Sequence, residues 1–159
     1  MEQVYGRCRP SMNGGLLLEL THIPSEKIAA YSATHYNVGL GQDGFIMRIG
    51  EPSAGLGARY DAHAISCALF ITAFNPYGQD QSDNANDAAQ ARLQAALMAL
   101  TGFVTEGAGA DPTGAWPPEK SFLALGIDED TAAQLGRTFH QDAVVWAGSD
   151  AAPKLLLLR

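Results

Sequence analysis

The stretch Cys67-Ala68-Leu69-Phe70-Ile71-Thr72-Ala73-Phe74-Asn75-Pro76 decides the fold. It is apolar from Cys67 to Phe74 except for Thr72, and Asn75-Pro76 closes it. A continuous apolar run ended by a turn signal reads as a strand covered on both faces, hence a central strand. Pro76 has no amide hydrogen to give to a ladder and terminates it.

Downstream, Ser82 to about Leu100 reads as the best helix. Ala89, Leu93, Ala96, Leu97 and Leu100 fall on one stripe at helical spacing. Ser82 is the expected cap, Asp83 lies near the positive end of the helix dipole, and Gly102 is a stop. Phe103-Val104-Thr105 begins a strand that enters a loop, GAGADPTGAWPPE. Ser121 to Leu125 reads as a strand stopped by Gly126. Asp128 then caps a helix whose stripe is Ala132, Leu135, Gly136 and Phe139. Residues 142–147 and 154–158 (KLLLL) read as the last strands.

Upstream, Pro24 opens a helix that ends near Thr34. Residues 35–40 and 44–49 flank the turn residues Gly41-Gln42-Asp43-Gly44 and read as a hairpin. Residues 52–61 form a short connection that can be helical. LLLEL at 16–20 is an apolar segment of open type, and residues 1–15 read as an irregular arm. Strands interleaved with helices and hairpins predict one α/β (α+β) domain over residues 16–159, a mixed sheet of about five to seven strands with helices packed on it.

The composition fits a globular domain, with 47% hydrophobic and 17% charged residues among 159. The formal net charge of -7, with Lys and Arg scattered singly, argues against nucleic acid as a partner. The opening MEQVYGRCRPSMNGG lacks the apolar core of a signal peptide. The longest apolar run falls far short of the roughly 20 residues of a membrane helix. Cys67 reads as a buried core thiol and Cys8 lacks a metal-ligand neighbour, so a reducing, cytoplasmic setting is expected, with a disulfide unsupported though open.

A series of short segments follows in order along the chain: Tyr31, Thr34 and Tyr36, then Arg48-Ile49-Gly50, then Ile71 to Pro76. Asn86, Gln90 and Leu93 follow, then Gly107 and Gly109, then Trp116, Glu119 and Ser121, and finally Phe139, Gln141, Ala143 and Trp146. This ordered set, from about Ala30 to Trp146, resembles a bacterial family, domain of unknown function 3293. The resemblance implies no activity, cofactor or catalytic residue.

Seven helical residues turn the chain by about 700°, which sets Asn86 about 20° from the core-facing Leu93. Gln90 lies roughly 60° from Leu93, at the edge of the same face. Inward amides must be paired, either with the strand end and the helix start or with a ligand. Thr72 and Asn75 end the central strand, where ligands favour the crevice beside a helix N-terminus; Asn before Pro is equally plain turn chemistry. Glu119 and Ser121 share a face with Leu123 and Leu125. Glu119 at a core edge would have a raised pKa and could act as a base, or pair with Arg48 in a structural role. A Ser121–His140 nucleophile pair has no exposing turn to support it. Gly107-Ala108-Gly109 is no phosphate loop and is read as a bend or bulge. The histidines lack metal spacing, and neither a metal nor a nucleotide motif is present. Trp116 and Trp146 read as packing.

Two functions fit. One is a small polar ligand site, with Glu119 and Ser121 as candidate catalytic residues and Arg48, Thr72, Asn75, Asn86, Gln90 and Gln141 as candidate ligand-binding residues. Arg48 would hold an anionic group. The other is a non-catalytic interaction module or homodimer that uses an exposed sheet edge such as KLLLL.

Overall fold

Local signals set most elements in the computed structural model, which describes Cys8, residues 21–39 and residues 41–159. The expected arm at 1–15, apart from Cys8, and the segment at 16–20 lie outside the described residues. Pro24 precedes α1 (Ser25–Ala33), and the extended Thr34 ends it. β1 (His35–Val38) and β2 (Phe45–Met47) form the expected hairpin. Ser53 caps α2 (Ala54–His63) by accepting from the Leu56 N–H at 3.2 Å. β3 (Ala68–Ile71) is the apolar run. Ser82 caps α3 (Asp83–Met98) and Asp128 caps α4 (Glu129–Thr138), each accepting from the N–H three residues on. The other strands are β4 (Val104–Ala110), β5 (Glu119–Leu125), β6 (Ala143–Ala147) and β7 (Lys154–Leu157).

Among the described residues, seven strands run in the order β2-β1-β4-β5-β3-β6-β7. All six pairings are antiparallel, so the expected mixed sheet is corrected to an antiparallel sheet within an α+β fold. The reason lies in the crossovers. β3–α3–β4 returns a strand in the same direction as β3, but β5 inserts between the two. β5–α4–β6 does the same around β3. Strands 3 to 6 thus form the interlocked β-α-β-β-α-β arrangement of the ferredoxin-like type. Helices alternating with strands show that crossovers exist; they do not show which strands become neighbours.

β3 has a partner on each side, and all four of its residues are buried. On one face, Leu69 and Ile71 pack with Leu93 and Leu97 of α3, Ala132 of α4, and Trp146. On the other, Ala68 and Phe70 pack with Leu56 and Tyr60 of α2, Met47, Leu123 and Val145. Alternate residues of one strand therefore feed two cores, which is why its sequence shows no polar alternation. Leu100, expected on the α3 stripe, is 53% exposed, because the helix ends at Met98.

Cys67 is fully buried but is not a free thiol: it is bonded to Cys8, 59 positions away. That spacing carries no pairing signal in a sequence. The bond removes the basis on which a reducing setting was expected. Among the described residues no helix is long and apolar enough to cross a membrane.

Candidate functional site

α1 lies beside the end of β3. Lys27, Ala30, Tyr31 and Thr34 recur at helical spacing, and all four line a cavity of about 750 Å³ between the helix and the sheet. No residue of α1 is buried. The helix is held at the site by polar contacts. Lys27 Nζ lies 2.5 Å from Asp142 Oδ2 and donates to the Tyr77 carbonyl at 3.2 Å. The Tyr36 hydroxyl donates to the Tyr31 carbonyl at 2.6 Å. Asp142 is 1% exposed and also meets Arg159, whose Nε lies 2.6 Å from Oδ1 but off the line of a hydrogen bond.

The floor is made by two glycines. Gly107 and Gly109 were expected to bend the chain; instead β4 runs straight through them, paired with β1 and with β5. Register places Gly109 opposite Tyr36 and Glu119, on the cavity face. A Cβ on Gly107 would collide with the Asn37 carbonyl and come within 2.9 Å of Phe70 Cε2, so the Phe70 ring fills that gap. A Cβ on Gly109 would find only Thr34 Cγ2, at 3.7 Å. The space above Gly109 stays open and becomes part of the cavity.

At one end of the cavity the polar residues form a relay. Asn86 is 4% exposed. Its Oδ1 accepts from the Asn75 N–H at 2.9 Å and from Gln81 Nε2 at 2.6 Å, while its Nδ2 donates to Asn75 Oδ1 at 3.0 Å. Asn75 has left-handed backbone, φ 46° and ψ 68°, which asparagine tolerates better than most residues. That turn lets Asn75 Nδ2 donate to Glu119 Oε1 at 3.2 Å. Thr72 Oγ1 donates to the Lys120 carbonyl at 2.6 Å, prolonging the β3–β5 seam past Ile71. Gln141 Nε2 donates to the carbonyls of Phe74 and Phe139, each at 3.2 Å.

Of the eight residues singled out, Thr72, Asn75, Asn86, Glu119, Ser121 and Gln141 line this one cavity. Gln90 and Arg48 do not. Gln90 Oε1 accepts from the Ala73 N–H at 3.1 Å behind the cavity wall, and its Nε2 is buried without a partner among the described residues. Arg48 is exposed beyond the end of β2, on an edge strand three places from β5, so the expected Arg48–Glu119 pair is corrected. The Ser121–His140 pair does not form either. Ser121 Oγ donates to the Glu119 carbonyl at 3.1 Å, whereas His140 Nδ1 lies 2.9 Å from the Tyr77 hydroxyl. Trp146 is core packing, its indole N–H donating to the Ile127 carbonyl at 2.8 Å, while Trp116 lines the cavity. Lys27, Tyr31, Asp80, Gly109 and Asp142 also belong to the lining and were not among the expected site residues. The signal that could have found Gly109 is a pair of glycines at period two inside a strand.

Residues 71–144 match the family model described as protein of unknown function, DUF3293. The match covers just under half of the chain and supports a DUF3293 assignment. The matched stretch runs from the last residue of β3 to the first residues of β6, and so holds α3, β4, β5, α4 and all six of the predicted residues that line the cavity. α1 and Tyr36, on the cavity's far side, precede it. No curated protein and no solved structure matches the chain.

Electrostatically the cavity is acidic. Burial pushes Glu119 above the usual carboxylate range; nearby Asp80 adds to this, and the Asn75 amide and Lys27 oppose it. Burial, helped by Asp142 and Glu119, pushes the Tyr31 hydroxyl up to about 12. Among the described residues no group of three or more His, Cys, Asp or Glu could hold a metal ion.

Proposed function

We propose that this protein binds a small polar molecule in the cavity under α1, with Glu119 as the residue that meets it. The observation that carries this reading is the convergence of six residues from separate segments on one cavity of about 750 Å³, within the usual volume of ligand sites. Their hydrogen bonds divide the labour. Asn86 and Asn75 bond each other and Gln81, so they hold geometry. Glu119 accepts one hydrogen bond, from Asn75, and has no ion pair among the described residues. Its carboxylate therefore keeps capacity for a ligand, either to anchor it or to take a proton from it.

The test is to fill the cavity without touching the relay. Gly109→Leu places an aliphatic side chain in open space on the cavity face. The variant should fold like the parent and lose any small molecule that native mass spectrometry finds on the purified parent protein. A ligand retained equally by Gly109→Leu would place its site elsewhere.

The second reading, a homodimer through a sheet edge, draws on β7, which is one of the two outermost strands and carries the half-buried Leu155–Leu158 run. Exposed Lys154 on that edge works against strand pairing. Light scattering at several concentrations separates a monomer from a dimer.

A further inference from the structure

The charge in the cavity wall points to a ligand opposite in sign from the anion that Arg48 was expected to hold. Lys27 is the one cation among the described lining residues, and Asp142 holds it at 2.5 Å. Asp80, Asp83 and Glu119 line the same cavity, and no described cation pairs with any of them. An anion entering here would meet the half-buried Glu119 carboxylate, where like charges repel more strongly than in open water, and the exposed Asp80 and Asp83 add to the same negative field. The first turn of α3 borders the cavity through Asn86, and its N-terminal dipole end would favour an anion, but Asp83 in that same turn cancels this. Four aromatic residues, Tyr31, Tyr36, Phe70 and Trp116, also line the cavity, and aromatic rings attract cations and pack against flat apolar bodies.

Taking the cavity to be a ligand site, as proposed above, we infer that its ligand is a monocation, a primary amine or guanidine on an apolar body, whose charged group bonds Glu119 while its body lies against Tyr36 and Phe70. The ammonium or guanidinium supplies the donor that the free Glu119 oxygen lacks, and it neutralises the local carboxylates. The bond is a charge-assisted one, stronger than a neutral hydrogen bond.

Three probes of one shape separate charge from cavity: phenethylamine, 2-phenylethanol and 3-phenylpropionate. Each is titrated into the full-length, oxidised protein while the side-chain amide signals of Asn75, Asn86 and Gln141 are followed by NMR. The amine should bind about tenfold or more tightly than either other probe, and Glu119→Gln should erase that preference. Tighter or equal binding of the carboxylate, or an amine affinity untouched by Glu119→Gln, would overturn the inference and leave the ligand site standing. If none of the three shifts those amides up to its solubility limit, while Gly109→Leu shows the fold intact, the cavity reading falls and the inference with it.

Discussion

Replacing Asn86 with leucine removes three hydrogen bonds at once: two that Oδ1 accepts, from Asn75 N–H and Gln81 Nε2, and one that Nδ2 donates to Asn75 Oδ1. The largest loss is the Asn75 amide, which is left without an acceptor at the base of a left-handed turn. An unsatisfied, partly buried donor costs about 1–3 kcal/mol. Cavity water can resolvate the Gln81 and Asn75 side chains, so those two bonds add less, about 0.5 kcal/mol each. Leucine regains part of this by burying apolar area against α3 and β3, roughly 1 kcal/mol at a site already 4% exposed. The net expectation is destabilisation by about 2 kcal/mol, a fall in Tm of about 4–8 °C for a chain of this size. Urea unfolding followed by tryptophan fluorescence reads it directly, since Trp146 is buried in the core that α3 covers; the midpoint should fall and the slope should not change. Asn86→Asp keeps both acceptor interactions of Oδ1 and should cost about half as much. An Asn86→Leu protein as stable as the parent, or more stable, would show that the amide pair is maintained for binding at the expense of the fold, and would refute the positioning role argued for it.

Glu119→Gln tests the buried carboxyl through pH. Because burial raises its folded pKa above the unfolded value, the folded state holds the proton more tightly, and the parent loses stability as pH climbs from the ordinary carboxylate range through the raised value. The glutamine variant escapes that loss, so its urea midpoint should match the parent's near about pH 3 and exceed it near about pH 7; a gap independent of pH would contradict the cause assigned to the shift. Gly107→Ala should cost about 3 kcal/mol or prevent folding, since its Cβ meets the Asn37 carbonyl and the Phe70 ring, while Gly109→Ala should cost under about 1 kcal/mol; equal effects in thermal melts would undo the account of the floor. Reducing the Cys8–Cys67 bond, which closes a loop of 59 residues, should lower unfolding stability by about 2–4 kcal/mol, and an unchanged urea midpoint in dithiothreitol would count against the bond. With a net charge of -7, the protein should show no duplex DNA binding tighter than about micromolar at physiological salt, checked by fluorescence anisotropy.

The elements of this fold are written in local chemistry, and local chemistry is what a sequence displays. Ser82 and Asp128 are capping residues before amphipathic stripes, and they cap; Cys67–Phe74 is apolar without alternation, and its middle is the central strand. Adjacency is decided by which hydrophobic faces meet after the chain crosses over, so the antiparallel order around β3 was not legible. The same limit applies to the site. Asn75, Asn86 and Glu119 were found because an amide on a core-facing stripe and a carboxylate on an apolar strand face each demand a partner. Arg48 was paired with Glu119 only by opposite charge, and charge complementarity carries no distance. Lys27, Tyr31 and Asp142 look like ordinary surface residues in their own segments; they acquire a role when α1, far away in sequence, is brought beside the end of β3. Cys8 and Cys67 likewise give no sign of each other across 59 positions.

The way β3 is enclosed sets a timing problem for the nascent chain. Its partners are β5, which begins at Glu119, and β6, which ends at Ala147. At about 5–20 residues per second, translation leaves the Ala68–Ile71 strand without a neighbour for on the order of 10 s. Meanwhile β1 and β2 close as a hairpin immediately. The Cys67 thiol emerges beside this waiting strand with Cys8 already made, so oxidation during synthesis would tether the arm to the strand before the sheet has formed around it. An apolar strand buried on both faces in the native sheet is thus exposed during synthesis until residues about fifty positions later arrive.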